Sequence, residues 1–244
     1  MQKKRLDRLL VERGLAPTRQ RAQALILSQM VLVDDMPGAK SGTLVREEAK
    51  IELKGADMPY VSRGGLKLEA ALSHFKLDVT GLACLDVGAS TGGFTDCLLS
   101  RGAAKVIAVD VGYGQLAWKL RQDARVTVVE RTNIRFVDVG TLPFSADLTT
   151  IDVSFISLKL VIPRVLLLIN PKARILALIK PQFEVGKGEV GKKGVVRDPE
   201  KHQQVLDDMA RFGRDLGLSC QGPVASPILG PQGNREFFLL FSRK

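Results

Sequence analysis

From residue 82 onward the chain alternates short apolar segments with amphipathic ones, and this alternation constrains the fold more than any other feature. Apolar runs of strand length, bounded by glycine, proline or charged residues, predict buried strands, and the longer segments between them predict helices. Strands that alternate with helices build an open, doubly wound parallel sheet, so an α/β fold is expected. We predict seven strands, within residues 82–88, 105–110, 125–130, 148–154, 174–180, 220–226 and 237–242.

The first part of the chain has a different pattern, typical of two helices followed by a hairpin. Leu6, Leu9 and Leu10 share one face of a helix, and Thr18 is placed to cap the next. VLVDDMPG then predicts a strand that runs into a turn, and AKIELK predicts the returning strand. We therefore predict a small α+β domain over residues 1–54, a linker over 55–61 and the α/β domain over 62–244.

The charge balance favours a polyanionic partner. The chain has 36 Lys and Arg against 26 Asp and Glu, a formal net charge of +10, and its first 30 residues are rich in basic side chains. Such a surplus is typical of proteins that bind nucleic acid or an acidic membrane, although a solvated basic surface is the alternative. The N-terminus lacks the pattern of a signal peptide, and no apolar run has the length needed to cross a bilayer. We expect a cytoplasmic protein without a membrane partner, with a monomer favoured.

Metal and redox chemistry are not expected. Cys84, Cys97 and Cys220 form no CxxC pair and have apolar or small neighbours, which predicts buried or partly buried thiols. His74 and His202 belong to no ligand cluster, and we expect His74 on a helix face and His202 in solvent.

The N-terminal segment RLDRLLVERGLAPTRQRAQALILSQMVLVDD resembles the RNA-binding domain named after the fourth protein of the small ribosomal subunit. In such domains basic residues of the two helices contact RNA. The resemblance implies this role for Arg5 and Arg19, with Arg21 and Lys4 as weaker candidates.

A glycine-rich loop, DVGASTGG, follows the first predicted strand of the α/β domain. The strand ends near Asp86 and a helix begins near Gly93, so the loop lies at the sheet edge where open α/β folds bind ligands. Gly88 and Gly92 allow the backbone to pass close to a ligand. The spacing is G-x-x-x-G-G rather than the G-x-G-x-x-G of dinucleotide sites, which favours S-adenosylmethionine.

We expect several residues to bind this cofactor. Asp86 would receive its ammonium, and Asp110, at the end of the second strand, would accept the two ribose hydroxyls. Glu130 and Asn133 follow the third strand and could reach the adenine edge, or they are ordinary loop residues. The full set is Asp86, Gly88, Ala89, Ser90, Gly92, Gly93, Phe94, Asp110, Glu130 and Asn133.

Four charged residues adjoin apolar strands of the same predicted sheet. Asp152 and Lys180 end the fourth and fifth strands, Glu236 opens the last, and Lys67 lies on the helix before the first. This set resembles that of the FtsJ-like ribose 2′-O-methyltransferases, and the phrases YVSRGGLKLE, DVGASTGGFTD, IDVSFISL and IKPQFEVGKGEVGKKGVVRD resemble the TlyA branch of that family. The resemblance implies a seven-stranded Rossmann-like methyltransferase sheet whose last strand is antiparallel. It also implies that the substrate is cytidine in 16S ribosomal RNA, or in both 16S and 23S.

The chemistry explains why such residues are needed. A ribose hydroxyl is a poor nucleophile at neutral pH, so a basic group must accept or share its proton. Lys180 is the candidate, because burial and a second cation such as Lys67 would favour its neutral form. Asp152 and Glu236 would orient the two amines, and replacing either lysine by alanine is expected to abolish transfer while leaving the fold intact. The glycine-rich segment FEVGKGEVGKKGVVRD predicts a basic loop that contacts RNA through Lys187, Lys192 and Lys193.

Three other functions compete with this one. A non-catalytic RNA-binding or ribosome-assembly protein could keep the fold without the activity, but the intact set of four charges argues against it. A secreted, hemolysin-like protein is disfavoured by the absence of a signal peptide, a spanning segment or a lytic helix. A dehydrogenase on the same fold is disfavoured by the glycine spacing.

Overall fold

The computed structural model describes residues 3–37, 40–53, 59–186, 188–191 and 194–243. The chain divides into two compact units, Met1–Arg63 and Gly64–Lys244. Residues 55–58 of the predicted linker lie outside the described residues, as do the predicted RNA contacts Lys187, Lys192 and Lys193.

The N-terminal unit contains two helices and two small sheets. Its elements are β1 (Lys3–Arg5), α1 (Leu6–Glu12), α2 (Arg19–Leu27), β2 (Val31–Val33), β3 (Met36–Pro37), β4 (Leu44–Arg46) and β5 (Ile51–Leu53). β1 pairs with β4, and β2 pairs with both β3 and β5.

Local sequence explains these helices. Leu6, Leu9 and Leu10 are buried and pack with apolar residues of α2, as their helical spacing predicted. The Thr18 side chain accepts a hydrogen bond from the backbone N–H of Arg21 and caps α2. β1 and β4 were not predicted, because three-residue strands are too short to show an alternating pattern.

The second unit contains the large sheet and the helices that cover it. Its strands are β6 (Ala83–Val87), β7 (Lys105–Val109), β8 (Val126–Val129), β9 (Ala146–Ile151), β10 (Ile169–Ile179), β11 (Leu218–Ala225) and β12 (Phe237–Arg243). Its helices are α3 (Gly64–His74), α4 (Gly93–Ser100), α5 (Trp118–Arg121), α6 (Leu158–Val165), α7 (Pro181–Glu184) and α8 (Pro199–Asp215).

The strand order is β11-β12-β10-β9-β6-β7-β8. The strands from β6 to β10 run parallel, whereas β12 is antiparallel to both β10 and β11. The predicted α/β sheet and its seven strands are confirmed. Because β6 has β7 on one side and β9 on the other, the chain reverses its winding direction there, and open sheets of this kind form a ligand crevice at that point.

The buried thiols were predicted correctly and the exposed histidine was not. Cys84 and Cys97 are buried and Cys220 is partly buried, all with free thiols. His202 is buried on α8, where its ring lies against Phe237 and its Nε2 is 2.8 Å from the carbonyl oxygen of Val196. The prediction of a solvated His202 was wrong, because its polar neighbours in sequence lie on the other face of α8.

Candidate active site

The four predicted catalytic residues adjoin secondary structure elements of the second unit as expected. Asp152 directly follows β9, Lys180 directly follows β10, Glu236 directly precedes β12, and Lys67 lies within α3. The sheet register pairs Ile179 with Phe237, so Lys180 and Glu236 stand at the same end of two neighbouring antiparallel strands. Asp152 reaches that edge from the parallel neighbour β9.

Lys180 forms an ion pair with Asp152. Its Nζ is 2.6 Å from Asp152 Oδ1, and it donates a hydrogen bond of 2.9 Å to Ser154 Oγ. The Lys180 side chain is 9% exposed and that of Asp152 is 20% exposed. The ammonium group is therefore nearly removed from water, while the carboxylate is within reach of a ligand.

Lys67 forms a second and deeper ion pair with Glu236. Lys67 Nζ lies 2.5 Å from Glu236 Oε2, with side-chain exposures of 11% and 0%. The other carboxylate oxygen, Oε1, is buried and has no hydrogen-bond partner within the described ranges. A Cβ on Gly230 would overlap this oxygen, so glycine is required there. The predicted proximity of the two lysines was therefore not the main feature, because each ammonium contacts a carboxylate.

A cleft of about 860 Å³ opens at the point where β6 separates β7 from β9. It is large enough for a nucleoside-sized ligand. Five of the residues predicted from sequence line it, and these are Gly88, Ser90, Asp110, Asn133 and Asp152.

Gly88 allows the glycine loop to lie directly against the end of β9. Its φ is +86°, and a Cβ there would overlap the carbonyl oxygen of Asp152. Gly92 also has a left-handed backbone, with φ of +96°, and a Cβ there would overlap Leu120 and Leu116. Both glycines are thus explained by close approach.

Asp110 lies in the cleft with its carboxylate fixed by the backbone. Its Oδ2 accepts the N–H of Ser90 at 2.8 Å and its Oδ1 accepts the N–H of Gly112 at 2.6 Å. Each oxygen keeps capacity for a further hydrogen bond, so the fixed carboxylate can receive hydroxyl donors from a ligand.

Glu130 and Asn133 differ in position. Asn133 lines the cleft, and its Oδ1 accepts hydrogen bonds from the backbone N–H and Nε of Arg135. Glu130 is not among the lining residues. Its carboxylate accepts from the N–H of Gly114 and from Arg121. Partial burial opposes ionisation, but these two donors outweigh it and lower the pKa of Glu130.

Asp86 is beneath the glycine loop and does not line the cleft. It is completely buried, and its two oxygens accept the hydroxyls of Thr95 at 2.7 Å and Thr150 at 3.1 Å. Burial raises its pKa to about 7, although these hydrogen bonds act in the opposite direction. The geometry does not support the predicted direct contact between this carboxylate and a ligand ammonium.

Three other loop residues are structural in this geometry. Ala89, Gly93 and Phe94 are buried and are not among the lining residues. Phe94 stacks on Phe238 of β12, with 6.2 Å between ring centroids, so the first turn of α4 is packed against the last strand. These residues hold the loop in place from behind.

Sequence analysis missed a pair of aromatic residues beside the charges. Phe155 is 91% exposed, lines the cleft and has a left-handed φ of +64°. Its ring lies 5.0 Å from that of Phe183, measured between centroids. Phe155 comes three residues after Asp152, and Phe183 three residues after Lys180. A large exposed side chain held in an unfavourable backbone conformation at a cleft is a signal of function that only the structure provides.

Glu184 fastens the two segments that carry these residues. Its carboxylate accepts the Ser157 hydroxyl at 2.6 Å and the backbone N–H of Leu158 at 2.8 Å, at the start of α6. Burial raises the pKa of Glu184. The segment after Lys180 is thereby fixed to the segment after Asp152.

In the N-terminal unit, two predicted RNA contacts converge on one acidic residue. Arg5 and Arg19 both donate to the buried carboxylate of Asp7. Lys4 contacts Glu12 and Glu47, each at 2.8 Å. The remaining candidate, Arg21, donates to the carbonyl oxygen of Val61 at 3.4 Å.

Two further searches concern metals and membranes. Across the described ranges, no cluster of three or more His, Cys, Asp or Glu residues has the geometry of a metal site. Within the same part of the chain, every helix is too short or too polar to span a bilayer.

Comparisons with known proteins match both units. Residues 60–243 match the model of the FtsJ-like methyltransferases, and residues 4–51 match that of the S4 domain. The chain is 50% identical to YqxC of Bacillus subtilis, over 97% of this chain and 85% of that protein. It is 48% identical to the 16S/23S rRNA (cytidine-2′-O)-methyltransferase TlyA of Mycobacterium tuberculosis, over 96% of this chain and 88% of that protein. A solved structure from Streptococcus thermophilus has 41% identity and a TM-score of 0.79, covering 100% of this chain and 90% of that one.

Proposed function

Because the chain belongs to the FtsJ-like methyltransferase family, we propose that it transfers a methyl group from S-adenosylmethionine to the ribose 2′-hydroxyl of a cytidine in ribosomal RNA. The observation that carries this proposal is the pair of lysine–carboxylate contacts at one sheet edge, beside a cleft of nucleoside size. The substrate assignment rests on the printed activity of the relative that is 48% identical. Such a substrate would place the activity in the cytoplasm.

The residues present fit S-adenosylmethionine. The fixed carboxylate of Asp110 would accept the ribose hydroxyls, Gly88 leaves room for the backbone to approach, and Asn133 would face the base. When bound, S-adenosylmethionine supplies a methyl group already activated on a sulfonium. Asp152, on the cleft wall, would stabilise positive charge near the reacting carbon.

Lys180 would handle the proton of the attacking hydroxyl. In its neutral form the amine accepts this proton as the oxygen–carbon bond forms, and the resulting ammonium is held by Asp152 and Ser154. The Lys67–Glu236 pair would fix the hydroxyl from the neighbouring strand end, since Glu236 Oε1 is free to accept a hydrogen bond. The rest of the acceleration would come from alignment of the two reactants.

The aromatic pair gives this site a means of holding a nucleotide. A base turned out of its stack needs a hydrophobic surface to replace its neighbours, and the exposed ring of Phe155, supported by Phe183, offers one. Since Phe155 is close in sequence to Asp152, a base stacked there would present its ribose to the charged edge.

A direct test is transfer of labelled methyl from S-adenosylmethionine to separated small and large ribosomal subunits that lack the endogenous modification. We expect label at a cytidine ribose with the wild-type protein and none with Lys180→Ala. The control is Lys172→Ala, which removes an exposed lysine from the other end of β10 and should leave transfer unchanged.

Stabilisation by S-adenosylmethionine, measured as a shift in Tm, checks that both variants fold and bind the cofactor. Absence of label on both subunits, with cofactor binding demonstrated, would contradict the ribosomal substrate and favour a non-catalytic RNA-binding role. Wild-type transfer by Lys180→Ala would contradict the role of Lys180.

A further inference from the structure

Asp7 organises a cluster of donors in the N-terminal unit. Its carboxylate accepts four hydrogen bonds, from Arg5 Nε and Nη2 at 3.0 Å each, from Arg19 Nε at 2.9 Å and from Gln23 Nε2 at 3.0 Å. These donors come from the end of β1 and from two positions on α2. One acidic side chain thus brings together two guanidinium groups that are far apart in sequence.

Burial separates the acid from its partners. The Asp7 side chain has 0% exposure, whereas Arg5 is 40% exposed and Arg19 is 48% exposed. The Arg5 guanidinium, hydrogen-bonded first among the partners, holds the pKa of Asp7 well below its usual range. The carboxylate therefore stays ionised, and the surface of the cluster consists of guanidinium groups.

The two guanidinium groups keep donors for another partner. Arginine carries five N–H donors, and Asp7 takes two from Arg5 and one from Arg19. The Arg5 guanidinium also lies over Gly42, whose added Cβ would stand 3.5 Å from Nη1. Both groups are held in position before any ligand arrives, which lowers the entropy lost when a ligand binds.

We propose that Asp7, Arg5 and Arg19 form a preorganised anion site for a phosphodiester group of folded RNA, with Asp7 as its positioning residue. This inference rests on the proposed function and specifies how the N-terminal unit engages the RNA. Guanidinium groups bind phosphate through paired hydrogen bonds that depend on geometry, which distinguishes them from lysine. Two fixed guanidinium groups side by side match such a ligand.

The decisive variant is Asp7→Asn, because charge and geometry predict opposite results. If the N-terminal unit attracted RNA only by its charge, removing a negative charge would raise the affinity. If Asp7 positions the two guanidinium groups, affinity falls in spite of the added positive charge. We expect at least a tenfold increase in the Kd for transcribed ribosomal RNA at constant salt.

The dependence of affinity on salt provides a readout that simple loss of stability would not change. Removing one interaction with a phosphate reduces the slope of log K against log salt by about 0.7–0.9. We expect a smaller slope for Asp7→Asn. The matched control is Asp35→Asn, which makes the same charge change at an exposed site of the same unit and should bind RNA as well as wild type or better.

Charge-conserving variants keep the inference testable if Asp7→Asn fails to fold. Arg5→Lys and Arg19→Lys retain the charge and lose the fork of donors, so each should weaken RNA binding several-fold. Arg5→Lys should add little to Asp7→Asn, because both remove the same fixed geometry. Wild-type affinity in Arg5→Lys and Arg19→Lys, or in a folded Asp7→Asn, would overturn the inference. If the wild-type protein itself neither binds nor methylates ribosomal RNA, the proposed function fails instead.

Discussion

Lys67 and Glu236, separated by 169 residues in the chain, form an ion pair in which the carboxylate is fully buried. The pair joins α3, near the beginning of the second unit, to the start of its last strand. Because burial removes both groups from water, neither charge is tolerated well without the other. This pair therefore contributes to stability as well as to the proposed chemistry.

We predict that Lys67→Met lowers the free energy of unfolding by about 3 kcal/mol or more, since it leaves Glu236 buried without its partner. This revises the expectation from sequence that Lys67 could be replaced without affecting the fold. The double variant Lys67→Met, Glu236→Gln should recover part of the lost stability and none of the methyl transfer. Urea unfolding and a transfer assay on the same samples measure both. Recovery of activity in the double variant would mean that the pair has only a structural role.

Replacing Gly88 by alanine should disrupt the cleft. The new Cβ would overlap the carbonyl group of Asp152, whereas alanine at Gly81, where φ is +74°, meets no atom within 4 Å. Gly81→Ala should cost only the backbone strain of about 1–2 kcal/mol. Gly88→Ala should cost more and also reduce kcat/KM, because Asp152 must shift. Equal losses in both variants, by urea midpoint and by transfer rate, would rule out a role for close approach.

The buried carboxyl of Asp86 should make stability depend on pH. Its pKa of about 7 lies above the ordinary value of 3.8, so the folded state holds the proton more tightly. The stabilisation is fully present below pH 3.8 and is lost as pH rises through 7. Relative to Asp86→Asn, wild type should lose about 2 kcal/mol between pH 5 and 7. Denaturant unfolding of both proteins at several pH values measures this difference, and parallel curves would contradict the assignment.

Phe155 should matter for turnover and not for stability. Because its side chain is 91% exposed, Phe155→Ala should leave Tm nearly unchanged. Loss of stacking on a base is worth about 1–3 kcal/mol, so kcat/KM for the RNA should fall roughly ten- to hundredfold. Phe155→Trp keeps an aromatic surface and should restore most of the rate. A similar loss in the alanine and tryptophan variants would exclude stacking.

The sequence was sufficient to predict the sheet and the positions of the four charges along the chain. Parallel strands end at a common edge, so Asp152 and Lys180 could be expected there from the apolar runs that precede them. The partners of each charge could not be predicted, because pairing across 169 residues depends on strand order. Sequence alone assigned the lysines to each other, whereas the structure gives each a carboxylate.

Some side-chain orientations were also beyond sequence reasoning. Both faces of a central parallel strand are buried, so the pattern LACLDVG does not indicate which face Asp86 occupies. Phe155 lies in the apolar segment IDVSFISL and resembles a core residue until its exposure is known. The acidic Asp7 among basic neighbours gave no sign that it lies beneath them.

The position of β12 determines when the protein can become active. This strand is synthesised last of the seven, yet it lies between β10 and β11 and is preceded by Glu236. A chain still emerging from the ribosome therefore has an incomplete sheet and an incomplete set of charges. Methylation would begin only after release, so a ribosome could not be modified by the polypeptide that it is still producing.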